Sequence, residues 1–251
     1  LIASKITRRK FVTTFHGTYN FKNSIKKFYN SVMVKSDLII AGSNFIFSHI
    51  NENYSNYLNK NQKLLTIFRG INLEYFDSTK IKNDAEAKLM NEWKIDKTLS
   101  FYNKKIILFP GRLTSWKGHE IFIESLNIFK QKNPDKLFFA IILGSDQGRK
   151  IYKKKIQRLI EQYRLIQDIL FIDNCDKMPL AYKIANIVTN CSIEPEAFGR
   201  VAVEAQAMEK VIVASDIGGS KETIIDNKTG FLFKAGDAIA LSDKLAHIFE
   251  L

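Results

Sequence analysis

Cysteine is scarce in this sequence and long apolar runs are missing, and each absence excludes a class of protein. The 251 residues contain two cysteines, Cys175 and Cys191, which form neither a disulfide framework nor a metal-ligand spacing. A reducing cytoplasm is therefore the expected setting. No apolar run approaches the roughly 18 residues of a membrane-spanning helix, so such a helix is excluded.

The sequence also lacks an initiator methionine. It begins with Leu1 and enters strand-like residues almost at once. No positively charged segment followed by an apolar one indicates a signal peptide. We therefore expect the chain to be a truncated form of a longer protein.

Acidic residues are too few to balance lysine and arginine, and the formal net charge is +12. A composition rich in Lys, Asn and Ile can reflect codon bias alone; otherwise a basic surface suits nucleotide phosphates, anionic lipid or nucleic acid. The densest basic stretch, residues 149–158, has apolar residues at Ile151, Ile156 and Ile160, a spacing interpreted as a solvated helix face. No aromatic interleaving, zinc spacing or recognition-helix signature supports nucleic-acid binding, so we expect no nucleic-acid partner.

Short β-branched runs alternate with amphipathic stretches, a pattern that predicts an α/β fold with parallel sheets flanked by helices. One α/β series covers residues 1–76 and a second covers residues 105–251, with a polar interdomain connection at 77–104. Strands are predicted at residues 11–15, 37–41, 64–68, 105–109, 137–143, 169–172, 187–189, 211–214 and 230–233. Helices are predicted at residues 21–35, 44–58, 117–130, in the basic stretch, at 179–184, after the turn at 215–219, and at 237–250.

Polar or glycine residues follow many of these strands. Ligands of open α/β sheets bind outside the carboxyl ends of the strands. Positions of this kind are His16, Arg69, Gly111, Arg112, Gly144, Glu196, Gly218 and Gly219. Their coincidence favours a ligand site.

Residues 194–206, EPEAFGRVAVEAQ, hold two carboxylates, Glu196 and Glu204, separated by seven residues. A loop with Pro195 and Gly199 runs into a helix-forming stretch, whose unpaired N–H groups are a natural anion seat. If most of the interval is helical, the carboxylates lie roughly 12 Å apart along the axis and both can face one cleft. Two carboxylates and an anion seat fit a nucleotide-sugar. The spacing alone leaves open an amphipathic helix with two solvated glutamates.

The segment EPEAFGRVAVEAQA resembles the E-x7-E signature of retaining glycosyltransferases of the GT-B fold, most closely family 4. TFHGTYN, FRGINLEYF, FPGRLTSWKGHE and SDIGGSKETIIDNKTGFLF resemble further segments of that family, in the same order. The resemblance implies two Rossmann-like domains, the first lacking its beginning and the second nearly complete. Enzymes of lipopolysaccharide and other surface-glycan assembly are the nearest relatives that it suggests.

The resemblance also implies roles for single residues. Arg112 and Lys117, on either side of a TSW loop, would neutralise the donor diphosphate and the charge that grows as it leaves. Glu204 would accept hydrogen bonds from the ribose, and Glu196 would contact hydroxyls of the transferred sugar. His16 would face the cleft near the acceptor, although a lone histidine after a strand is often a buried, hydrogen-bonded residue.

The catalytic residues expected are thus His16, Arg112, Lys117 and Glu196. The expected substrate-binding residues are Arg69, Gly111, Gly144, Ala197, Phe198, Gly199 and Glu204. Less specific matches place Asp146, Met178 and Pro179 near the nucleotide base, and Gly218 and Gly219 suit a plain turn equally well. His49, His119 and His247 are expected to be surface or packing residues.

The resemblance implies a retaining, metal-independent hexosyltransferase with no cofactor other than its nucleotide-diphosphate sugar donor. A glycan or a lipid-linked molecule would be the acceptor. The predicted helix at 21–35 is expected to pack on the sheet, and its lysines could also dock the protein on the anionic inner face of the cell membrane. The alternatives are a non-catalytic nucleotide-sugar binder, an epimerase or phosphorylase of the same fold, and a basic membrane or nucleic-acid module.

Overall fold

The computed structural model describes residues 1–19, 24–95 and 104–251, with residue 83 described by its backbone alone. The chain divides into two compact units. The first consists of Leu1–Gly70, Pro195–Gly199 and Gly218–Thr223, and the second of Ile71–Glu194, Arg200–Ile217 and Ile224–Leu251. Among the described helices, none is both long and apolar enough to cross a bilayer.

Helices and parallel strands make up both units. The strands are β1 (Val12–Phe15), β2 (Leu38–Ala41), β3 (Lys63–Thr66), β4 (Lys105–Pro110), β5 (Phe138–Leu143), β6 (Ile169–Ile172), β7 (Ile187–Asn190), β8 (Val211–Ser215) and β9 (Phe231–Phe233). The helices are α1 (Ile2–Thr7), α2 (Ser24–Asn30), α3 (Asn44–Tyr54), α4 (Asn83–Glu92), α5 (His119–Lys132), α6 (Lys150–Gln162), α7 (Met178–Ile184), α8 (Arg200–Ala207), α9 (Ser220–Thr223) and α10 (Ala238–Glu250).

The first unit is built on three parallel strands in the order β1-β2-β3. Helix α3 begins where the Ser43 hydroxyl accepts a hydrogen bond from the Ile46 amide at 3.1 Å, which satisfies one of the N–H groups that a helix start leaves unpaired. Ile46, Ile50 and Tyr54 recur at helical spacing and are fully buried. They form the core of this unit with side chains of the sheet such as Phe15.

The second unit contains six parallel strands in the order β6-β5-β4-β7-β8-β9. From β4 the chain moves outward to β6, then returns to place β7 on the other side of β4, and moves outward again to β9. This is the doubly wound order of a Rossmann-like domain, in which the chain reverses direction between β4 and β7.

Both faces of this sheet are covered by helices, which explains why the central strand β4 is apolar over residues 106–110 instead of alternating. On β4, residues 106–110 are all buried. Ile107 and Phe109 belong to a core with α5, α6 and α10, whereas Ile106 and Leu108 belong to a core with α4, α7 and α8. Burying one large apolar side chain contributes on the order of 1.5–3 kcal/mol before the entropy of ordering is subtracted.

Each predicted strand is present, shifted by no more than two residues at either end. The predicted helix at 21–35 is wrong as one continuous helix, because α2 ends at Asn30 and a 3-10 turn, Ser31–Lys35, follows it. Residues 21–23 lie outside the described residues. The Ser31 hydroxyl donates to the Phe28 carbonyl at 2.6 Å, a local bond that competes with helical backbone pairing.

Two further helix predictions need correction. The helix at 44–58 ends at Tyr54 and continues as a 3-10 turn, Ser55–Tyr57. On the basic helix α6, Ile156 and Ile160 are buried but Ile151 is 88% exposed. Five residues separate Ile151 from Ile156, which places them roughly 140° apart around a helix. The apolar stripe of α6 is therefore narrower than predicted.

Candidate functional site

The loops that follow β4 and β7 lie against each other, at the point where the strand order reverses. The Ile193 amide donates to the Trp116 carbonyl at 2.8 Å. A Cβ atom on Gly118 would lie 1.9 Å from the Cys191 carbonyl oxygen, so only glycine fits there. Ligands of doubly wound sheets bind outside the carboxyl ends of the strands at this reversal. The topology therefore points to the loop at 111–118 as part of a binding site.

The loop after β5 joins the same edge of the sheet. A Cβ atom on Gly144 would lie 2.0 Å from the Gly111 carbonyl oxygen and 3.1 Å from the Arg112 amide nitrogen. The Gly111 amide in turn donates to the Leu143 carbonyl at 2.8 Å. Gly111, Arg112 and Gly144, which were predicted as site residues from separate motifs, are thus in backbone contact.

Arg112 and Lys117 supply positive charge to this loop. The Arg112 side chain is exposed, whereas Lys117 is half-buried. The Lys117 ammonium lies 4.5 Å from the centroid of the Trp116 ring, a cation–π contact that leaves the ammonium charged. The methylenes of Lys117 lie beside Gly111, since a Cβ atom there would be 3.6 Å from the Lys117 Cδ. The second unit therefore presents two cations and closely spaced backbone at one end of its sheet.

Glu204 is held by two side chains, Tyr182 and Arg200, that were not among the predicted site residues. It lies on α8 and is only 7% exposed. The Tyr182 hydroxyl donates to its Oε2 at 2.8 Å, and the Arg200 guanidinium donates to its Oε1 at 2.8 Å. Tyr182 is itself fully buried on α7 and packs edge-on against Phe76 at 6.0 Å between ring centroids. The Glu204 carboxylate is therefore fixed in orientation.

His16 and Arg69, two predicted residues of the first unit, contact each other. His16 follows β1, and the Arg69 guanidinium lies within hydrogen-bonding distance of its Nδ1. Because a guanidinium can only donate, this contact requires the histidine tautomer with its proton on Nε2. The alternative in which His16 is a buried residue is wrong, because its side chain is exposed.

Glu196, Ala197, Phe198 and Gly199 form a loop of the first unit. The Glu196 carbonyl accepts a hydrogen bond from the Gly219 amide at 2.8 Å. Phe198 and Gly199 are buried, whereas Glu196 and Ala197 are half-buried. Helix α8 begins only at Arg200, as the predicted helix start requires. Of the seven residues between Glu196 and Glu204, the last four are helical, so the premise that most of the interval is helical holds narrowly. The separation of roughly 12 Å takes all eight steps as helical and stays a prediction.

The structure places the two carboxylates of the motif in different compact units, Glu196 in the first and Glu204 in the second. Their shared cleft stays a prediction. The predicted contacts of Met178 and Pro179 with a base also stay predictions; these residues begin α7, with Pro179 buried in its first turn. Among the described residues, no group of three His, Cys, Asp or Glu side chains could hold a metal ion.

The family model described as "Glycosyl transferases group 1" matches residues 91–251, well over half of the chain. The chain belongs to the group 1 glycosyl transferases. The matched residues cover most of the second unit and include Gly111, Arg112, Lys117, Gly144 and both glutamates of the motif.

Individual relatives agree with this membership. A glycosyltransferase from Rickettsia africae ESF-5 is 37% identical with a TM-score of 0.86, over 99% of this chain and 62% of that one. Alr3699/HepE of Anabaena, in complex with UDP-glucose, is 24% identical with a TM-score of 0.84, over 99% of this chain and 65% of that one. The D-inositol 3-phosphate glycosyltransferase of Corynebacterium glutamicum (strain R) is 29% identical over 148 residues, 58% of this chain and 35% of that protein.

This group 1 glycosyl transferase chain spans less than two thirds of each of these three relatives. The likeness to the solved structures confirms the predicted α/β fold of GT-B type with parallel sheets and a Rossmann-like domain.

Sequence reasoning missed the two hydrogen-bond partners of Glu204, Arg200 and Tyr182. Arg200 could have been found from its i,i+4 spacing to Glu204 on one helix. Tyr182 could not, because only the packing of α7 against α8 brings it to Glu204. His119 was expected at the surface or in packing, and it is fully buried against Phe109, with 4.6 Å between ring centroids.

Burial of His119 has a consequence for stability. Desolvation lowers the pKa of its imidazole from 6.5 to about 4. The Thr114 and Gly111 carbonyls raise this pKa in part, and the Lys117 charge lowers it further. As the pH falls below 6.5, the unfolded chain binds this proton more readily than the folded chain. The contribution of the neutral His119 to the free energy of unfolding is therefore complete above pH 6.5, and it is lost as the pH falls towards 4.

Because of His119, we expect the free energy of unfolding of the second unit to fall by about 2 kcal/mol from pH 7 to pH 5. Urea denaturation followed by tryptophan fluorescence measures this, since Trp93 and Trp116 are the two tryptophans and both belong to the second unit. The variant His119→Gln should lose most of this pH dependence, whereas the exposed control His247→Gln should keep it. An unchanged pH dependence in His119→Gln would contradict the assignment.

Proposed function

We propose that the protein carrying this chain is a retaining glycosyltransferase of family 4. It moves a hexosyl group from a nucleotide-diphosphate sugar to a glycan or lipid-linked acceptor, in lipopolysaccharide or surface-glycan assembly. The observation that carries the proposal is the meeting of Gly111, Arg112, Lys117 and Gly144 at the carboxyl edge of the second unit's sheet. The Anabaena neighbour's complex with UDP-glucose supports a nucleotide-sugar donor.

The second unit supplies the groups that would bind the nucleotide. Arg112 and Lys117 stabilise the diphosphate, and the same two charges stabilise the negative charge that develops as the sugar–phosphate bond breaks. No divalent metal and no further cofactor is required for this role. Glu204, oriented by Tyr182 and Arg200, accepts hydrogen bonds from the ribose hydroxyls.

The first unit supplies groups for the sugar and the acceptor. Glu196 accepts hydrogen bonds from hydroxyls of the transferred sugar, and the amides of Ala197, Phe198 and Gly199 are donors for its oxygens. His16 and Arg69 act as a hydrogen-bonded pair near the acceptor. Retention follows from attack on the face that the phosphate leaves, with the leaving phosphate taking the acceptor proton.

Donor binding is the first test. A thermal-shift screen of uridine, guanosine and adenosine diphosphate sugars on the full-length protein identifies the preferred nucleotide. Lys117→Ala then removes a charge-assisted contact worth about 1.5–3 kcal/mol, so the Kd for that nucleotide should rise about 10- to 100-fold. The matched control is Lys88→Ala, whose side chain makes only an exposed ion pair with Asp84. Wild-type affinity in Lys117→Ala would contradict the role of Lys117 in donor binding. Binding of a nucleotide-sugar without transfer of its sugar would favour a non-catalytic binder.

Tyr182→Phe tests the role of Glu204 separately. The substitution keeps the ring against Phe76 and removes the hydrogen bond to Glu204, which is worth about 1 kcal/mol. We expect wild-type protein to bind the ribonucleotide more tightly than its 2′,3′-dideoxy analogue, and this preference to fall several-fold in Tyr182→Phe and further in Glu204→Gln. Equal preference in all three proteins, measured by calorimetry, would exclude ribose recognition by Glu204.

A membrane contact is the second part of the proposal, and helix α2 is its site. The expectation that residues 21–35 pack on the sheet is wrong for α2, since none of its residues is buried, whereas Val34 in the 3-10 turn that follows is fully buried in the core of the first unit. Ile25, Phe28 and Tyr29 are 78%, 61% and 76% exposed, beside Lys26 and Lys27. Apolar side chains next to lysines suit the boundary of an anionic bilayer. We propose on this basis that the protein is cytoplasmic and peripheral at the inner face of the cell membrane.

Pelleting with vesicles tests this contact. We expect the full-length protein to sediment with anionic vesicles at low salt and less with neutral ones, because the lysine contribution is electrostatic. Ile25→Ser combined with Phe28→Ser should reduce sedimentation severalfold, whereas Ile151→Ser, on the exposed side of α6, should not. Absence of binding at low salt would end the membrane proposal, and release by RNA alone would favour a nucleic-acid partner.

A further inference from the structure

The amino end of α3 is capped by a side chain from far along the chain. The Asn44 and Phe45 amides donate to the two carboxylate oxygens of Glu222, at 2.8 and 2.5 Å. A helix start leaves such amides unpaired and favours negative charge, so the Glu222 carboxylate satisfies both needs. Glu222 lies on α9, in the Gly218–Thr223 segment of the first unit.

Ser43, the N-cap residue of α3, also contacts the loop of Glu196. The Ser43 hydroxyl accepts from the Ile46 amide and donates to the Ala197 carbonyl at 2.5 Å, using both capacities of a hydroxyl. The Ala197 side chain packs against the core of the first unit. The start of α3 therefore binds two segments, Pro195–Gly199 and Gly218–Thr223.

These two segments are in turn bound to each other through their backbones. The Gly219 amide donates to the Glu196 carbonyl at 2.8 Å. A Cβ atom on Gly219 would lie 2.5 Å from the Phe198 Cα, and one on Gly218 would lie 2.7 Å from the Glu196 carbonyl oxygen. No side chain fits at either glycine. A displacement of the Glu222 segment must therefore displace the backbone of Glu196.

We propose that Ser43 and Glu222 are positioning residues for sugar transfer, which hold the backbone of residues 196–198 and thereby place the Glu196 carboxylate. This inference rests on the proposed function, in which Glu196 contacts the transferred sugar. Misplacing such a group by about 1 Å can cost on the order of 100-fold in rate. Both residues belong to the first unit, whereas the nucleotide-binding groups are proposed for the second, so we expect the effect on the transfer step.

Steady-state kinetics of the full-length enzyme test the proposal. Ser43→Ala and Glu222→Ala should each lower kcat about 10- to 100-fold, while the Kd of the nucleoside diphosphate stays within about two-fold of wild type. Ser43→Thr keeps the hydroxyl and Glu222→Gln keeps one acceptor oxygen, so both should restore part of the rate. Glu52→Ala, an exposed carboxylate on the same helix, is the matched control and should match wild type.

A double-mutant cycle separates positioning from mere support of the fold. If Ser43 and Glu222 act through Glu196, then Ser43→Ala or Glu222→Ala should lower kcat only slightly further when Glu196→Gln is already present. Equal losses in both backgrounds, or wild-type kcat in Ser43→Ala and Glu222→Ala, would overturn the inference. Should the alanine variants fail to fold, the same cycle with Ser43→Thr and Glu222→Gln decides. A wild-type enzyme that transfers no sugar from any donor would instead refute the proposed function.

Discussion

The second unit depends on a close approach between two backbones. The loop after β4 and the loop after β7 touch where Gly118 meets the Cys191 carbonyl, and a side chain at position 118 would separate them. This contact lies at the carboxyl ends of β4 and β7, where the strand order reverses. Because the two loops cannot move apart independently, the backbone that carries Arg112 and Lys117 is held in place.

Closely packed backbone and two cationic side chains are combined at that edge. Gly111 and Gly144 hold their loops together through backbone contact, whereas Arg112 extends into solvent and Lys117 lies over Trp116. A diphosphate needs donors whose separation is set in advance, since ordering them on binding would cost affinity. The buried His119 behind this loop stays neutral near pH 7, so it adds no charge beneath the two cations.

Local pattern predicted most of this arrangement; one local side-chain hydrogen bond and several long-range contacts account for what it missed. The strands of the second unit could be predicted because two covered faces require apolar residues at every position, as residues 106–110 have. The break after Asn30 could not, because it depends on a side chain of Ser31 that bonds a nearby carbonyl. Tyr182 reaches Glu204 only through helix packing, and Ser43 reaches Ala197 across 154 positions of sequence.

The seven-residue spacing of the two glutamates has a different physical basis from the one that helical geometry suggests. Glu204 lies within α8 and is oriented by side chains, Tyr182 and Arg200. Glu196 precedes the helix and is held through its backbone, by Gly219 and by the contact of Ser43 with Ala197. The loop and the first turn of α8 together fill the interval. The helix start therefore lies between the two carboxylates, and different groups hold each of them.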